Sequence, residues 1–145
     1  MTTWSSSTFV EAIHELLSDG NAVRFRASGH SMHPTIKDGD KITVEPLKGA
    51  AIKRGDIILY RSKHGMIAHR VVRVDLMSCE PHLIMRGDAL TSFDLPIASQ
   101  QALGRVVLVE RGGFSTKPRG RRGRLIRAAR LYASNIKARL QRRYS

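Results

Sequence analysis

Ser28-Gly29-His30-Ser31-Met32-His33-Pro34-Thr35-Ile36-Lys37-Asp38-Gly39-Asp40 packs more conformationally special residues together than any other stretch of the chain. Gly29 permits backbone angles closed to other residues, and Pro34 fixes its own φ while pushing His33 away from helical space. Asp38-Gly39-Asp40 supplies a second turn. The segment reads as a built turn that holds Ser31 and Met32 between its pivots. A serine on such a turn, expected to be exposed and restricted in rotamer, suits nucleophilic catalysis, with its backbone N–H directed at an oxyanion. The plainer alternative is an ordinary loop, since Ser, Gly, His and Pro populate loops everywhere.

Outward from the turn the chain reads as strands. Val23, Phe25 and Ala27 alternate with Arg24 and Arg26, so a half-buried strand feeds the turn. Residues 41–45, 56–61, 67–74, 82–86 and 103–110 continue the pattern, separated by Pro46, Gly49, Arg54-Gly55 and Lys63-His64-Gly65. Within 67–74 the two-residue period puts Ile67, His69, Val71 and Arg73 on one face, so His69 is expected among apolar neighbours. About six short strands and no long helix predict an all-β body over residues 22–110. Ahead of it, residues 8–19 read as an amphipathic helix. Thr8 and Glu11 stand in capping-box spacing, Phe9, Val10, Ile13, Leu16 and Leu17 lie on one face, and Gly20 stops the helix. That face is expected to pack on the domain itself.

The 145 residues suit one domain plus appendages, with 41% hydrophobic and 26% charged residues typical of a globular chain. Cys79 is alone, which excludes an internal disulfide; beside Glu80 in an expected hairpin connection it is a poor nucleophile. No apolar run approaches the roughly 20 residues that span a bilayer, and no secretory signal is evident. The net charge of +13 is uneven. Residues 1–110 hold 13 Lys and Arg against 12 Asp and Glu, whereas residues 111–145 hold 12 cations and no acid.

Gly29-His30-Ser31-Met32-His33-Pro34 with Asp38-Gly39-Asp40 resembles the nucleophile box of the superfamily that joins signal peptidase I to the self-cleaving SOS repressors, the S24/S26 serine peptidases. Three further boxes follow in that family's order: Arg54-Gly55-Asp56-Ile57-Ile58-Leu59-Tyr60, then Ala68-His69-Arg70-Val71-Val72, then Arg86-Gly87-Asp88 with Asp94 behind it. The resemblance covers roughly residues 22–110 and implies a coiled, partly open β-barrel of the signal peptidase and SOS-repressor cleavage-domain type. Flanking it are the short N-terminal helix (domain 1–21) and a basic C-terminal segment (111–145). Signal peptidases usually carry a membrane anchor ahead of the serine box, and none is expected here.

A serine at its free pKa is inert, so Ser31 needs a base, for which Lys63, His69 and the flanking His30 and His33 are candidates. Bacterial signal peptidases and the repressors place a lysine where this chain has His69. The chain is in this respect similar to the archaeal and endoplasmic-reticulum signal peptidases, which use histidine, and the resemblance assigns His69 as general base. A free imidazole, with a pKa of about 6.5, is mostly neutral at neutral pH and accepts a proton without the desolvation a lysine base requires. A structural histidine on a half-buried strand is the alternative.

A histidine base works best with a carboxylate that fixes its tautomer. Asp88 and Asp94 both match acidic positions of the histidine-type branch; Asp94 is the preferred partner, with Asp88 holding the loop or sharing the role. Gly29 stands where some relatives place an oxyanion-hole serine, so a second donor must come from the backbone or be missing. Met32 and Ile36 line the substrate groove in the family, or else are simply core. His30 and His33 lack the further ligands a metal site needs, and neither metal nor cofactor is expected.

From Arg111 the composition becomes a flexible basic linker, and residues 124–144 read as an amphipathic helix. Leu125, Ile126, Ala129, Tyr132, Ala133, Ile136 and Leu140 fall on one arc, with most arginines opposite. Arg121, Arg122, Arg124, Arg127, Arg130 and Tyr132 are the candidate contacts to an anionic membrane surface, ahead of a protein partner or nucleic acid. The expectation is a cytoplasmic serine endopeptidase, soluble or peripherally attached to the membrane, that cleaves leader, signal or pro-peptide segments with small residues at the cut. The alternative is a non-catalytic or self-cleaving peptide-binding regulatory module with a membrane- or nucleic-acid-binding tail.

Overall fold

The computed structural model describes residues 7–118. Its body is a largely antiparallel sheet of eight strands with one short helix, α1 (Ser7–Ser18). The strands are β1 (Val23–Arg26), β2 (Lys41–Pro46), β3 (Ile57–Ser62), β4 (Gly65–Asp75), β5 (His82–Arg86), β6 (Ile97–Ala98), β7 (Ala102–Arg111) and β8 (Phe114–Thr116). They run in the order β1-β2-β7-β3-β4-β5-β6, with β8 paired to β7. β1 and β6 end that order without pairing to each other, so the sheet stays open, as a partly open coiled barrel requires. Three register shifts bend it, between Thr43 and Val44, Leu59 and Tyr60, and Val71 and Arg73.

β3 shows why the sheet can carry a site. Residues 57–60 are all buried, because Ile57 and Leu59 face one apolar cluster while Ile58 and Tyr60 face a second. A strand covered on both faces reads as an unbroken apolar run, which matches Ile57-Ile58-Leu59-Tyr60. β4 alternates in the same way: Met66 and Ala68 enter the first cluster, Ile67 and Val71 the second, and His69 shares parity with the latter pair. The register pairs Ile58 with His69 and Tyr60 with Ile67.

α1 places Val10, Ile13 and Leu17 in the first cluster and sets Phe9 edge-on to Phe25 at 5.5 Å between centroids. Leu16, expected on that face, is 44% exposed. Gly20 closes the helix at φ 86°. Its N–H reaches Leu17 O, and the Asn21 N–H reaches Leu16 O, the paired bonds of a Schellman cap. The Thr8–Glu11 capping box does not form: Thr8 already lies inside the helix, and the Glu11 carboxylate accepts from Arg61 at 2.8 Å.

Two strands escaped the sequence reading. β6 has two residues, and β8 occupies what was expected to be linker. Gly112 and Gly113, both at positive φ (54° and 80°), form a two-residue turn that returns the chain from β7 into β8. The amphipathic helix expected at 124–144, with Arg121, Arg122, Arg124, Arg127, Arg130 and Tyr132, lies outside the described residues.

Candidate active site

The serine turn is the connection from β1 to β2, and its neck is tied by backbone bonds from Ala27 N to Asp40 O (2.7 Å) and from Gly39 N to Ala27 O (2.8 Å). Inside the loop Ile36 N donates to Met32 O at 3.0 Å, and Gly29, at φ 90°, donates its N–H to Asp38 Oδ1 at 2.8 Å. The Gly29 N–H therefore holds the turn together instead of facing an oxyanion. Asp40 is buried; it accepts from Lys37 N at 2.7 Å and takes a two-pronged grip from Arg111 at 2.8 and 2.5 Å. Burial alone would raise the Asp40 pKa, yet the bonds from Arg111 and Lys37 outweigh it and hold the carboxyl below its usual range. The end of β7 thus braces the loop.

Met32 (0% exposed) and Ile36 (3%) are members of the first apolar cluster. Of the two roles weighed for them, groove lining and core, the burial matches the core: they anchor the loop in the first apolar cluster. Ser31 is also buried at 2%, not exposed, because its carbonyl accepts from Ala89 N at 2.9 Å and the Gly87–Ala89 turn closes over it.

His69 reaches Ser31 from β4. The His69 Nε2–Ser31 Oγ distance is 3.0 Å and the His69 Nδ1–Asp94 Oδ2 distance is 2.5 Å. An ionised carboxylate only accepts, so Nδ1 carries the proton, Nε2 is left as acceptor, and the Ser31 hydroxyl donates to it. That is the polarity general-base activation of a serine requires. Asp94 arrives on the irregular segment between β5 and β6, fastened by its own N–H to Met85 O at 2.8 Å. Lys63, another of the candidate bases, is exposed at the β3–β4 turn. His30 and His33 pack ring against ring, with 5.3 Å between centroids. Cys79 is exposed in the β4–β5 connection.

Asp88 does different work from Asp94. Its carboxylate takes Arg70 Nε and Nη2 at 2.7 Å each, and Thr35 Oγ1 donates to it as well. Arg70 Nη1 donates to Gly55 O at 2.8 Å, and Nη2 also lies 3.4 Å from Thr35 Oγ1. Arg70 is therefore a buried cation that ties four segments together: the serine turn through Thr35, the Gly55 turn, β4 and the Asp88 loop. Of the two carboxylates considered as partner of His69, Asp94 occupies the position and Asp88 holds the loop. Sequence reasoning missed Arg70, Thr35 and Tyr60. The Tyr60 hydroxyl donates to Asp94 Oδ2 at 3.0 Å; its sequence signal is its place at the end of the Arg54–Tyr60 box, and its role appears only once β3 is paired with β4.

No helix among the described residues is long and apolar enough to cross a membrane. No curated protein matches the chain. A family model described as Peptidase S24-like matches residues 2–87, a span that contains Ser31 and His69 and stops short of Asp94. With that match over more than half of its length, and an open antiparallel sheet joining serine to histidine, the chain belongs to the Peptidase S24-like family.

Proposed function

We propose that the protein is a serine endopeptidase in which Ser31 is the nucleophile, His69 the general base and Asp94 the carboxylate that orients it. The supporting observation is the unbroken relay Ser31 Oγ to His69 Nε2 (3.0 Å) and His69 Nδ1 to Asp94 Oδ2 (2.5 Å), assembled from three separate segments. Ser31 Oγ attacks the peptide carbonyl carbon as His69 Nε2 takes its proton, and Asp94 stabilises the imidazolium. His69 then protonates the leaving amine, and water, activated by the same imidazole, releases the acyl group. This reaction uses no metal or organic cofactor.

The resemblance to the histidine-type signal peptidases supports a substrate class like theirs: extended leader, signal or pro-peptide segments with small residues at the cut. The basic residues Arg121, Arg122, Arg124, Arg127 and Arg130, with Tyr132, would rest the enzyme on anionic lipid at the cytoplasmic surface.

The test incubates purified protein with a library of extended peptides rich in small residues, read by mass spectrometry, beside Ser31→Ala and His69→Ala. Cleavage by wild type, lost in both variants, supports the reading. An inactive wild type, with and without anionic vesicles, turns the assignment toward a peptide-binding module.

A further inference from the structure

We propose that Tyr60 is a positioning residue of this site: its hydroxyl fixes Asp94 Oδ2, and through it the ring orientation and tautomer of His69. The inference rests on the Ser31–His69–Asp94 reading above. One carboxylate oxygen, Asp94 Oδ2, accepts both His69 Nδ1–H at 2.5 Å and Tyr60 O–H at 3.0 Å.

The two donors differ from Asp94 in how firmly they are held. His69 and Tyr60 stand on paired strands β4 and β3 and are 2% and 4% exposed. Tyr60 packs in the cluster of Ile58, Ile67, Val71, Leu83 and Met85. Asp94 lies in an irregular segment between Phe93 (57% exposed) and Leu95 (79%), neither of which encloses it. The bond from Asp94 N to Met85 O fixes the backbone but not the rotation of the carboxylate about its last torsion; the second donor on the shared oxygen is the phenol.

Phenylalanine would fill this apolar position without placing an oxygen in it, so the hydroxyl has a task that packing does not explain. Burial and, after it, the negative charge of Asp94 push the phenol pKa upward, so Tyr60 remains an O–H donor throughout any working range. The groups facing His69 are Ser31 from the serine turn and Asp94 from the β5–β6 segment, with Tyr60 behind Asp94.

The variant is Tyr60→Phe, which keeps the ring and removes one oxygen. Two readouts separate positioning from packing. In peptide cleavage, kcat is expected to fall roughly tenfold with KM within about twofold, as for a lost hydrogen bond to a charged group. In proton NMR without substrate, the downfield resonance of the His69 Nδ1–H, identified by its loss in His69→Ala, is expected to shift or broaden.

An unchanged kcat in a folded variant, or an unchanged His69 resonance, overturns the proposal. Should the variant fail to fold, ring-fluorinated tyrosine in the wild-type sequence strengthens the same donor; the His69 resonance then moves if the bond acts on the pair and stays if it does not. A wild type that cleaves nothing sinks the peptidase reading instead, while the resonance still decides whether Tyr60 sets the histidine.

Discussion

Gly87→Ala adds one methyl group at the point where the loop after β5 crosses the serine turn. A Cβ there would lie 2.5 Å from the Ser31 carbonyl oxygen, 3.0 Å from Leu90 Cδ1 and 3.1 Å from His69 Nε2. Carbon–oxygen contacts ordinarily sit near roughly 3.3 Å, so Ser31 or the loop must yield by about 0.8 Å. The Leu90 tip can rotate away, but the Ser31 carbonyl is backbone, already bonded to Ala89 N. Overpacking of this kind costs about 1–3 kcal/mol, or a fall in Tm of about 5–15 °C for a domain of this size. The effect on cleavage should be larger, since displacing a reacting group by about 1 Å can lower the rate about 100-fold.

Gly104→Ala supplies the comparison. Its Cβ would meet Val44 Cγ1 at 2.6 Å and Glu45 O at 2.7 Å, a similar clash between β7 and β2. Thermal unfolding and kcat/KM measured on both variants should show comparable losses of stability, with the large loss of kcat/KM confined to Gly87→Ala. A folded Gly87→Ala protein with wild-type kcat/KM would refute the reasoning, because the methyl would then have found room without moving Ser31.

Three further outcomes follow from the same contacts. Asp88→Ala leaves the Arg70 guanidinium, whose side chain is 6% exposed, without its carboxylate; urea unfolding should show a loss of about 3–5 kcal/mol, and a loss below about 1 kcal/mol would contradict the anchoring role. Asp40 and Glu110 have depressed pKa values, Glu110 chiefly through the hydrogen bond from Arg24. The unfolded chain then binds more protons than the native one in acid. This contribution to stability is whole above the ordinary carboxylate pKa of about 4 and disappears as pH falls through the lower native values. Arg111→Met should flatten that acid dependence of Tm, and an unchanged slope would remove Asp40–Arg111 from the explanation.

The serine turn was legible because its glycines and proline carry backbone requirements that do not depend on the rest of the fold. Gly29 and Gly39 both adopt positive φ, and the turn sits between two strands as its flanking alternation implied. The face of His69 was legible because a period of two fixes it, whereas its role as base came from the resemblance of Ala68-His69-Arg70-Val71-Val72 to the family's box.

What a strand pattern cannot supply is register. Nothing in Asp88 or Asp94 alone tells which carboxylate meets the imidazole. That is settled by the bond from Asp94 N to Met85 O and by Arg70 drawing Asp88 away. Tyr60 stayed hidden for the same reason, since its role appears only once β3 is set against β4. Met32 and Ile36 belong to the core because the loop folds inward, a choice made by tertiary packing rather than by turn residues. β6 and β8 are too short for periodicity to show, although Gly112-Gly113 between two extended runs was a hairpin signal.

The most direct measurement is covalent labelling with a serine-directed fluorophosphonate, followed by intact-mass and peptide mapping. Ser31 is 2% exposed, so the experiment also reads whether an acyl-like reagent reaches its oxygen. A single adduct on Ser31, formed by wild type and absent or far slower in His69→Ala and Asp94→Ala, is the expected result. No adduct, or labelling of Ser31 at the same rate without His69, would contradict activation of the serine by the histidine.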